Sequence, residues 1–168
     1  MKKTFFLLFI FILLIGCSKS EPSGVVNIDQ RVNEGQITTF EETGDPICYE
    51  DNKPIIRLFS TTWCPHCNWI RGTFNKVVKE YERDGKIAAY HWVLDNGDNE
   101  LTDGIQESVI PPKEIGLHKK YNPSGSIPTF VFGCKYKRVG NGYEAQNNLK
   151  AEEAEFRAVI EELLKDEN

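Results

Sequence analysis

The most informative segment for the fold of this chain is Pro-Ile-Ile-Arg-Leu-Phe-Ser-Thr-Thr-Trp-Cys-Pro-His-Cys, residues 54–67. Its first seven residues form a short, mostly apolar run between polar residues, which predicts a buried strand. After Cys67, apolar residues recur at spacings of three and four, which predicts one buried face of a helix. Pro65 suits the first turn of this helix, because an N–H at that position has no partner inside the helix. A strand therefore passes into a helix at the pair Cys64 and Cys67.

The junction of strand and helix favours a reactive thiol. We expect Cys64 at the helix N-terminus, where free backbone N–H groups and the helix dipole stabilise a thiolate. Cys67, one turn further on, is expected to be covered. Cys64 would then attack a disulfide, and Cys67 would resolve the mixed disulfide that results. His66 adds a donor or a positive charge beside Cys64, which stabilises the reduced pair and favours an oxidant.

The remaining elements alternate between strands and helices. Strands are predicted at 37–42, 87–94, 126–133 and 136–139 with a strand end at 143–144, and helices at 113–121 and from 147 or 148 onward. The strand at 87–94 is apolar at nearly every position, so we expect it to be central. This order predicts an α/β fold with a central mixed β-sheet flanked by helices.

The sequence also predicts which side chains of the last helix are buried, and whether each of two histidines is buried or exposed. The apolar face of that helix comprises Leu149, Phe156, Val159, Ile160, Leu163 and Leu164. Near its start lie Glu152, Glu153 and Glu155, where the helix dipole favours negative charge. His91 lies in an apolar strand and is expected to be a core residue with satisfied polar atoms, whereas His118 is expected on a helix surface.

Two motifs resemble a known family. Trp63-Cys64-Pro65-His66-Cys67 resembles the active site of the thioredoxin superfamily, and its Pro-His pair resembles that of DsbA-type thiol oxidases. Ile127-Pro128-Thr129 resembles the cis-proline loop of the superfamily. The resemblance covers about 54–164 and implies a thioredoxin-like fold, a cis bond before Pro128, and substrate backbone held at Ile127 and Pro128. Trp63 would lie exposed beside the reactive sulfur, where it can contact substrate.

The chain departs from this family in two places. The family carries a buried acid six residues before the first cysteine, and here that residue is Leu58. The usual proton acceptor for Cys67 is therefore missing or supplied from elsewhere. In addition, Ile127 is thioredoxin-like whereas the pair Pro65-His66 is DsbA-like, so features of a reductant and of an oxidant are mixed.

The N-terminal region predicts export. Lys2 and Lys3 precede an apolar run from Phe5 to Ile15, which is too short to span a bilayer and typical of a signal peptide. The residues Leu14-Ile15-Gly16-Cys17 resemble the bacterial lipobox, which implies cleavage before Cys17 and acylation of its sulfur. The alternative is a plain signal peptide with an incidental cysteine.

Acylation would define both the layout of the chain and its location. We predict a lipoprotein signal peptide over 1–16, a lipidated Cys17 with a flexible tether over 17–36, and a thioredoxin-like domain over 37–168. Lipid chains on Cys17 would anchor the exported protein in the lipid bilayer, on the outer face of the cell membrane or on its periplasmic face.

With Cys17 set aside, four thiols remain, and an even number in an exported protein points to disulfides. Cys64 and Cys67 account for one pair, so we predict a structural disulfide between Cys48 and Cys134, worth about 4 kcal/mol in the chain-entropy model. A second redox-active pair and two inert thiols are the alternatives. We predict no metal, because the sequence has one close cysteine pair where zinc ribbons have two. The acidic residues at 95–103 do not match the calcium spacing of an EF-hand.

Composition narrows the class of function. Apolar residues make up 40% of the 168 residues, which excludes a wholly disordered chain. The net charge of −5 argues against a nucleic-acid partner. We expect an extracytoplasmic thiol–disulfide oxidoreductase without an organic cofactor, acting as an oxidant on protein thiols, with a redox partner in the membrane. A disulfide reductase for exported proteins such as apocytochromes, and a non-enzymatic binding lipoprotein, are the alternatives.

Overall fold

The computed structural model describes residues 36–165. The predicted signal peptide, Cys17 and the predicted tether, apart from its last residue, lie outside this range. The strands are β1 (Glu41–Glu42), β2 (Tyr49–Glu50), β3 (Lys53–Ser60), β4 (Ala88–Val93), β5 (Asp98–Asn99), β6 (Thr129–Phe132) and β7 (Tyr136–Val139). The helices are α1 (Pro65–Arg83), α2 (Pro112–Tyr121) and α3 (Leu149–Lys165). None of these helices is long and apolar enough to cross a membrane.

The strands form a mixed sheet in the order β1-β7-β6-β3-β4-β5, and β2 adds a short hairpin to β3. β3 pairs in parallel with β4 and antiparallel with β6. The predicted α/β fold with a mixed sheet is thus confirmed. The expectation that 87–94 is central was wrong: β3 holds the centre, and β4 lies between β3 and the two-residue β5. β4 is apolar because side chains pack on both of its faces.

Helices cover both faces of this sheet. On one face, Leu58 of β3 packs in a cluster with apolar side chains of α1 and α3. On the other face, Phe59 packs with Tyr121 and other side chains of α2. The alternation of neighbouring strand residues between two covered faces explains why β3 is almost continuously apolar.

The helix α1 buries the face that its spacing predicts. Its buried residues are Cys67, Ile70, Phe74, Val77, Val78 and Tyr81. The helix ends at Asp84, followed by Gly85 with a φ of +72°, a left-handed conformation that glycine adopts without strain.

Three local predictions were wrong. Residues 37–40 are not in a strand, so β1 comprises two residues that pair with β7. The region 143–144 does not end a strand but leads into a short 3₁₀ helix, Glu144–Gln146. Leu149 is 39% exposed rather than part of the buried face of α3. It directly follows Asn148, whose side chain caps the helix by accepting the N–H of Ala151 at 3.1 Å.

Two glutamates of α3 form buried ion pairs, in addition to lying near the helix start where the dipole favours negative charge. Glu152 and Glu155 are buried, and both face the buried guanidinium of Arg138 on β7, at 2.6 and 3.4 Å. Glu155 also accepts the backbone N–H groups of Thr38 and Thr39, each at 2.5 Å. The carboxylate of Glu155 therefore joins the first described residues to α3 and β7.

We expect Glu155→Ala to lower the free energy of unfolding by about 2–5 kcal/mol, because it leaves the backbone N–H groups of Thr38 and Thr39 without their acceptor and removes one of the two carboxylates that face Arg138. Urea unfolding measures the change. Glu153→Ala is the matched control on the same helix: its partly exposed ion pairs with Lys76 and Arg157 predict a loss below about 1 kcal/mol. Equal losses of stability in the two variants would contradict the structural role that we assign to Glu155.

Candidate active site

Cys64 caps the N-terminus of α1 with its side chain. Its backbone is extended, with φ −78° and ψ 117°, and its sulfur accepts the N–H of Cys67 at 3.2 Å. Pro65 occupies the first helical position, as its sequence position predicts. The sulfur therefore lies at the positive end of the helix dipole, where negative charge is stabilised.

Cys67 is a fully buried thiol on the first turn of α1, and in this structure it is not bonded to Cys64. Burial and the hydrogen bond with Cys64 raise its pKa to about 12. The backbone N–H of Thr61 and the positive charge of Arg71 act in the opposite direction. Cys64 is also buried, at 3% exposed, so the two cysteines differ in their position on the helix: the Cys64 sulfur caps α1, and Cys67 lies inside its first turn.

The loop at Ile127 and Pro128 faces the cysteine pair. The peptide bond between these residues is cis, as the resemblance implies. The carbonyl oxygen of Ile127 lies 4.0 Å from the Cys64 sulfur. Backbone groups of this loop are thus placed where an extended segment bound at Cys64 would meet them.

His66 is held by side chains from another part of the chain. Its Nδ1 lies 2.9 Å from both carboxylate oxygens of Glu144. Asn141 donates to the backbone oxygen of His66 at 2.9 Å and to Glu144 at 2.7 Å. Desolvation opposes ionisation of Glu144, but the hydrogen bonds from Asn141 and His66 hold the pKa of its carboxyl below the usual range. The imidazole is therefore oriented by a carboxylate as well as by its place beside Cys64.

The residues before Cys64 present an exposed aromatic ring on an anchored loop. Trp63 is 70% exposed, as expected for a residue beside a reactive sulfur. Its neighbour Thr62 is bound to Asp95 through both its hydroxyl and its backbone N–H. The acidic insertion after β4 thus fixes the loop that carries Trp63.

Cys48 and Cys134 form a disulfide, the pairing that the cysteine count favours. Cys134 is 5% exposed, and the bond closes a loop between positions 86 residues apart. The buried Arg57 lies beside it: Arg57 donates to the Cys48 sulfur at 3.4 Å, and Glu114 of α2 accepts from its Nε at 2.6 Å. This disulfide ties the segment before β2 to the turn between β6 and β7.

His91 and His118 are both buried. His91 is a core residue with satisfied ring nitrogens, as expected: it contacts Ser60 at 2.8 Å and Asn75 at 2.7 Å. The expectation that His118 lies on the surface was wrong, since it is 7% exposed and its ring lies 4.9 Å from that of Phe59. It is one turn after Glu114, on the face of α2 that covers the sheet.

Several side chains of the site were missed in the sequence. Glu144, Asn141 and Asp95 contact residues 33 to 78 positions away, and no local spacing marks them. Glu100, one of the acidic residues at 95–103, contacts Arg71 and His91 with its carboxylate, which its sequence surroundings do not indicate. Among residues 36–165, no three His, Cys, Asp or Glu side chains are placed to hold a metal ion.

Helices on both faces of a mixed sheet, with a cysteine pair where the central strand meets α1, make this a thioredoxin-like fold. No protein-family model matches the chain. It is 26% identical over 108 residues to protein disulfide isomerase-like 2-1 of Oryza sativa subsp. japonica, covering 64% of this chain and 25% of that protein. It is 28% identical over 105 residues to protein disulfide isomerase-like 2-2 of the same organism, covering 62% and 24%. The chain thus spans about a quarter of the length of these relatives.

Proposed function

We propose that this chain is a thiol–disulfide oxidoreductase that acts on protein thiols or disulfides through Cys64 and Cys67. The observation that carries the proposal is the position of the Cys64 sulfur, which caps α1 and accepts an N–H group there. Such a position stabilises a thiolate more than a thiol. Similarity to two proteins named as disulfide isomerase-like supports the same chemistry. No organic cofactor is needed, because the electrons move between sulfur atoms.

The exchange takes two steps. The Cys64 thiolate attacks one sulfur of a substrate disulfide, and the other substrate sulfur leaves with the electron pair of the broken bond. Cys67 then attacks the Cys64 sulfur, which forms the Cys64–Cys67 disulfide and releases the second substrate thiolate. The reverse sequence oxidises a substrate dithiol. Cys64 meets the substrate first, because it lies at the start of α1 beside the exposed Trp63 and the oxygen of Ile127, whereas Cys67 lies one turn further into the helix.

The surroundings of Cys64 suit an extended protein segment as substrate. The oxygen of Ile127 lies on one side of the sulfur, in the loop that the cis-Pro128 shapes, and can accept a substrate N–H. The exposed ring of Trp63 offers an apolar contact next to the sulfur. A site that offers a backbone hydrogen bond and one apolar contact recognises an extended protein segment without requiring a particular sequence.

Cys64→Ser is expected to abolish reduction and oxidation of a model protein disulfide, because the attacking sulfur is lost. Cys67→Ser should instead accumulate a mixed disulfide between Cys64 and substrate, visible by non-reducing electrophoresis. The matched control is Cys48→Ala/Cys134→Ala, which removes the other pair and should retain the activity. Biological function that persists in Cys64→Ser would favour the rival class, a non-enzymatic binding lipoprotein.

We further propose that the protein acts as an oxidant, because His66 adjoins Cys64 and stabilises its thiolate. Equilibration with glutathione buffers measures this. His66→Gly should make the Cys64–Cys67 couple more reducing, by up to about fivefold for a largely exposed charge. A couple as reducing as thioredoxin, roughly −270 mV, and insensitive to His66→Gly would indicate a reductase for exported proteins.

Anchoring on a membrane, facing outward and beside a membrane redox partner, is part of the same proposal. It rests on the lipobox-like residues that end at Cys17, which lie outside the described range. Mass spectrometry of the membrane-extracted protein is expected to show Cys17 as the first residue, carrying two or three acyl chains. An unmodified Cys17, or a chain that keeps residue 1, would contradict the anchor.

A further inference from the structure

The segment after β7, residues 140–147, is bound to two parts of the candidate site. The N–H of Gly140 donates to the backbone oxygen of Pro128 at 2.8 Å, in the loop that faces the cysteine pair. Near the other end of the segment, the indole N–H of Trp69 on α1 donates to the side chain of Asn147 at 3.0 Å. The side chains that this segment presents to the start of α1 are therefore held from both ends.

Two of these side chains fix the position of His66. The amide of Asn141 donates to the carboxylate of Glu144 at 2.7 Å and to the backbone oxygen of His66 at 2.9 Å. The same carboxylate has both of its oxygens 2.9 Å from Nδ1 of the imidazole. One amide thus binds the helix residue and the carboxylate that faces its ring, which limits the ring to one orientation.

The carboxylate also decides which nitrogen of His66 carries a proton. Burial opposes ionisation of Glu144, but the hydrogen bonds from Asn141 and His66 hold the pKa of its carboxyl below the usual range. An ionised carboxylate can only accept hydrogen bonds, so Nδ1 carries the hydrogen, and in the neutral ring Nε2 keeps a free lone pair. Because Glu144 covers the Nδ1 side and the His66 side chain is 61% exposed, the lone pair faces solvent.

A base at this place has a use when the protein is oxidised. Cys64 is then bonded to Cys67, and a substrate cysteine must lose its proton before its sulfur can attack Cys64. Only a few per cent of an ordinary cysteine, with a pKa of about 8.5, is thiolate at neutral pH. An imidazole that a carboxylate or an amide orients is the arrangement by which many enzymes deprotonate a hydroxyl or a thiol.

We propose that Glu144 and Asn141 hold His66 as the base that takes the proton of a substrate thiol when the protein acts as an oxidant; this rests on the proposed function. The substrate S–H bond breaks, and its proton goes to Nε2. The electron pair left on the substrate sulfur forms the bond to Cys64. The bond between Cys64 and Cys67 breaks, and its electrons stay on Cys67 as a thiolate, which then takes a proton from water.

The proton that His66 has taken also favours the next step. The ring is now a cation two residues after Cys64, and it stabilises the Cys64 thiolate when the second substrate thiol displaces it. His66 is thus the catalytic residue of this proposal, whereas Glu144 and Asn141 are positioning residues that act through it.

The test compares two thiols that differ in their ionisation. N-acetylcysteine is mainly protonated at neutral pH and needs a base, whereas para-mercaptobenzoate, an aromatic thiol, is mainly ionised and needs none. Each thiol is mixed in excess with the oxidised, purified full chain, and mass spectrometry of acid-quenched samples follows the loss of the Cys64–Cys67 disulfide. The quantity measured is the rate constant with N-acetylcysteine divided by that with para-mercaptobenzoate, because changes that affect both reactions cancel in this ratio.

Glu144→Ala is expected to lower the ratio by about tenfold, within the limit of about thirtyfold that the small ionised fraction of an ordinary thiol sets. His66→Ala should lower it at least as much. In a protein that already carries His66→Ala, Glu144→Ala should have no further effect, because the carboxylate acts through the ring. The matched control Glu153→Ala removes a carboxylate that is 29% exposed and paired with Lys76, and it should leave the ratio unchanged.

A ratio that stays unchanged in Glu144→Ala or in His66→Ala would overturn the proposal, and so would an effect of Glu144→Ala that is equally large without the imidazole. NMR of the ring nitrogens adds a second measurement: the neutral ring of His66 in the oxidised protein should carry its hydrogen on Nδ1, and a hydrogen on Nε2 would also overturn the proposal. A wild-type disulfide that reacts with neither thiol would instead refute the proposed function, so the two failures are distinguishable.

Discussion

The hydrogen bond from the Cys67 N–H to the Cys64 sulfur is the constraint on which the site depends. A helix N-terminus needs acceptors for its free N–H groups, and oxygen side chains usually supply them. Here a sulfur does so, and sulfur accepts weakly as a thiol but strongly as a thiolate. The charge state of Cys64 is thereby coupled to the start of α1. Because β3 runs through the middle of the sheet and ends at Ser60, the Cys64 sulfur lies a few residues beyond a strand that is paired on both sides.

Buried charged side chains connect the layers on both faces of the sheet. On the α3 side Arg138 faces two carboxylates, and on the α2 side Arg57 of β3 is bound by Glu114. Each guanidinium joins a strand to the helix that covers it. Replacing Arg57, Glu114 or Arg138 alone leaves an uncompensated buried charge, whereas the complete set of ion pairs adds less to stability than the number of contacts suggests. Their contribution is to restrict each helix to one position over the sheet.

Local patterns predicted the parts of the fold that local physics determines. The spacing in α1, the apolar run of β3 and the motif at Pro128 each depend on residues close together in sequence, and the structure agrees with all three. Contacts between distant polar residues were not predictable in this way. The sequence shows Glu155 only as an acidic residue near the start of a helix. Nothing near it in the sequence indicates that Thr38, 117 positions away, is its hydrogen-bond partner.

The same limit applies to the site. The cysteine motif located the proposed nucleophile, but the groups that surround it come from loops whose composition resembles any solvated segment. Glu100 and Glu144 became recognisable when the fold brought one to Arg71 and the other to His66. A histidine such as His118 was misjudged because charge and polarity suggest exposure, whereas its position one turn after Glu114 places it over the sheet.

The Cys48–Cys134 disulfide also bears on the speed of folding. β3 pairs with β6 although a large part of the domain lies between them in sequence, and closing so long a loop is an entropic barrier to folding. The disulfide lies directly beside this pair of strands, where the Cys48 N–H reaches the oxygen of Gly133 at 2.8 Å. An unfolded chain that already carries the bond keeps the two strands near each other. Such a chain should fold faster and expose the buried strands β3 and β6 to aggregation for a shorter time than the reduced chain.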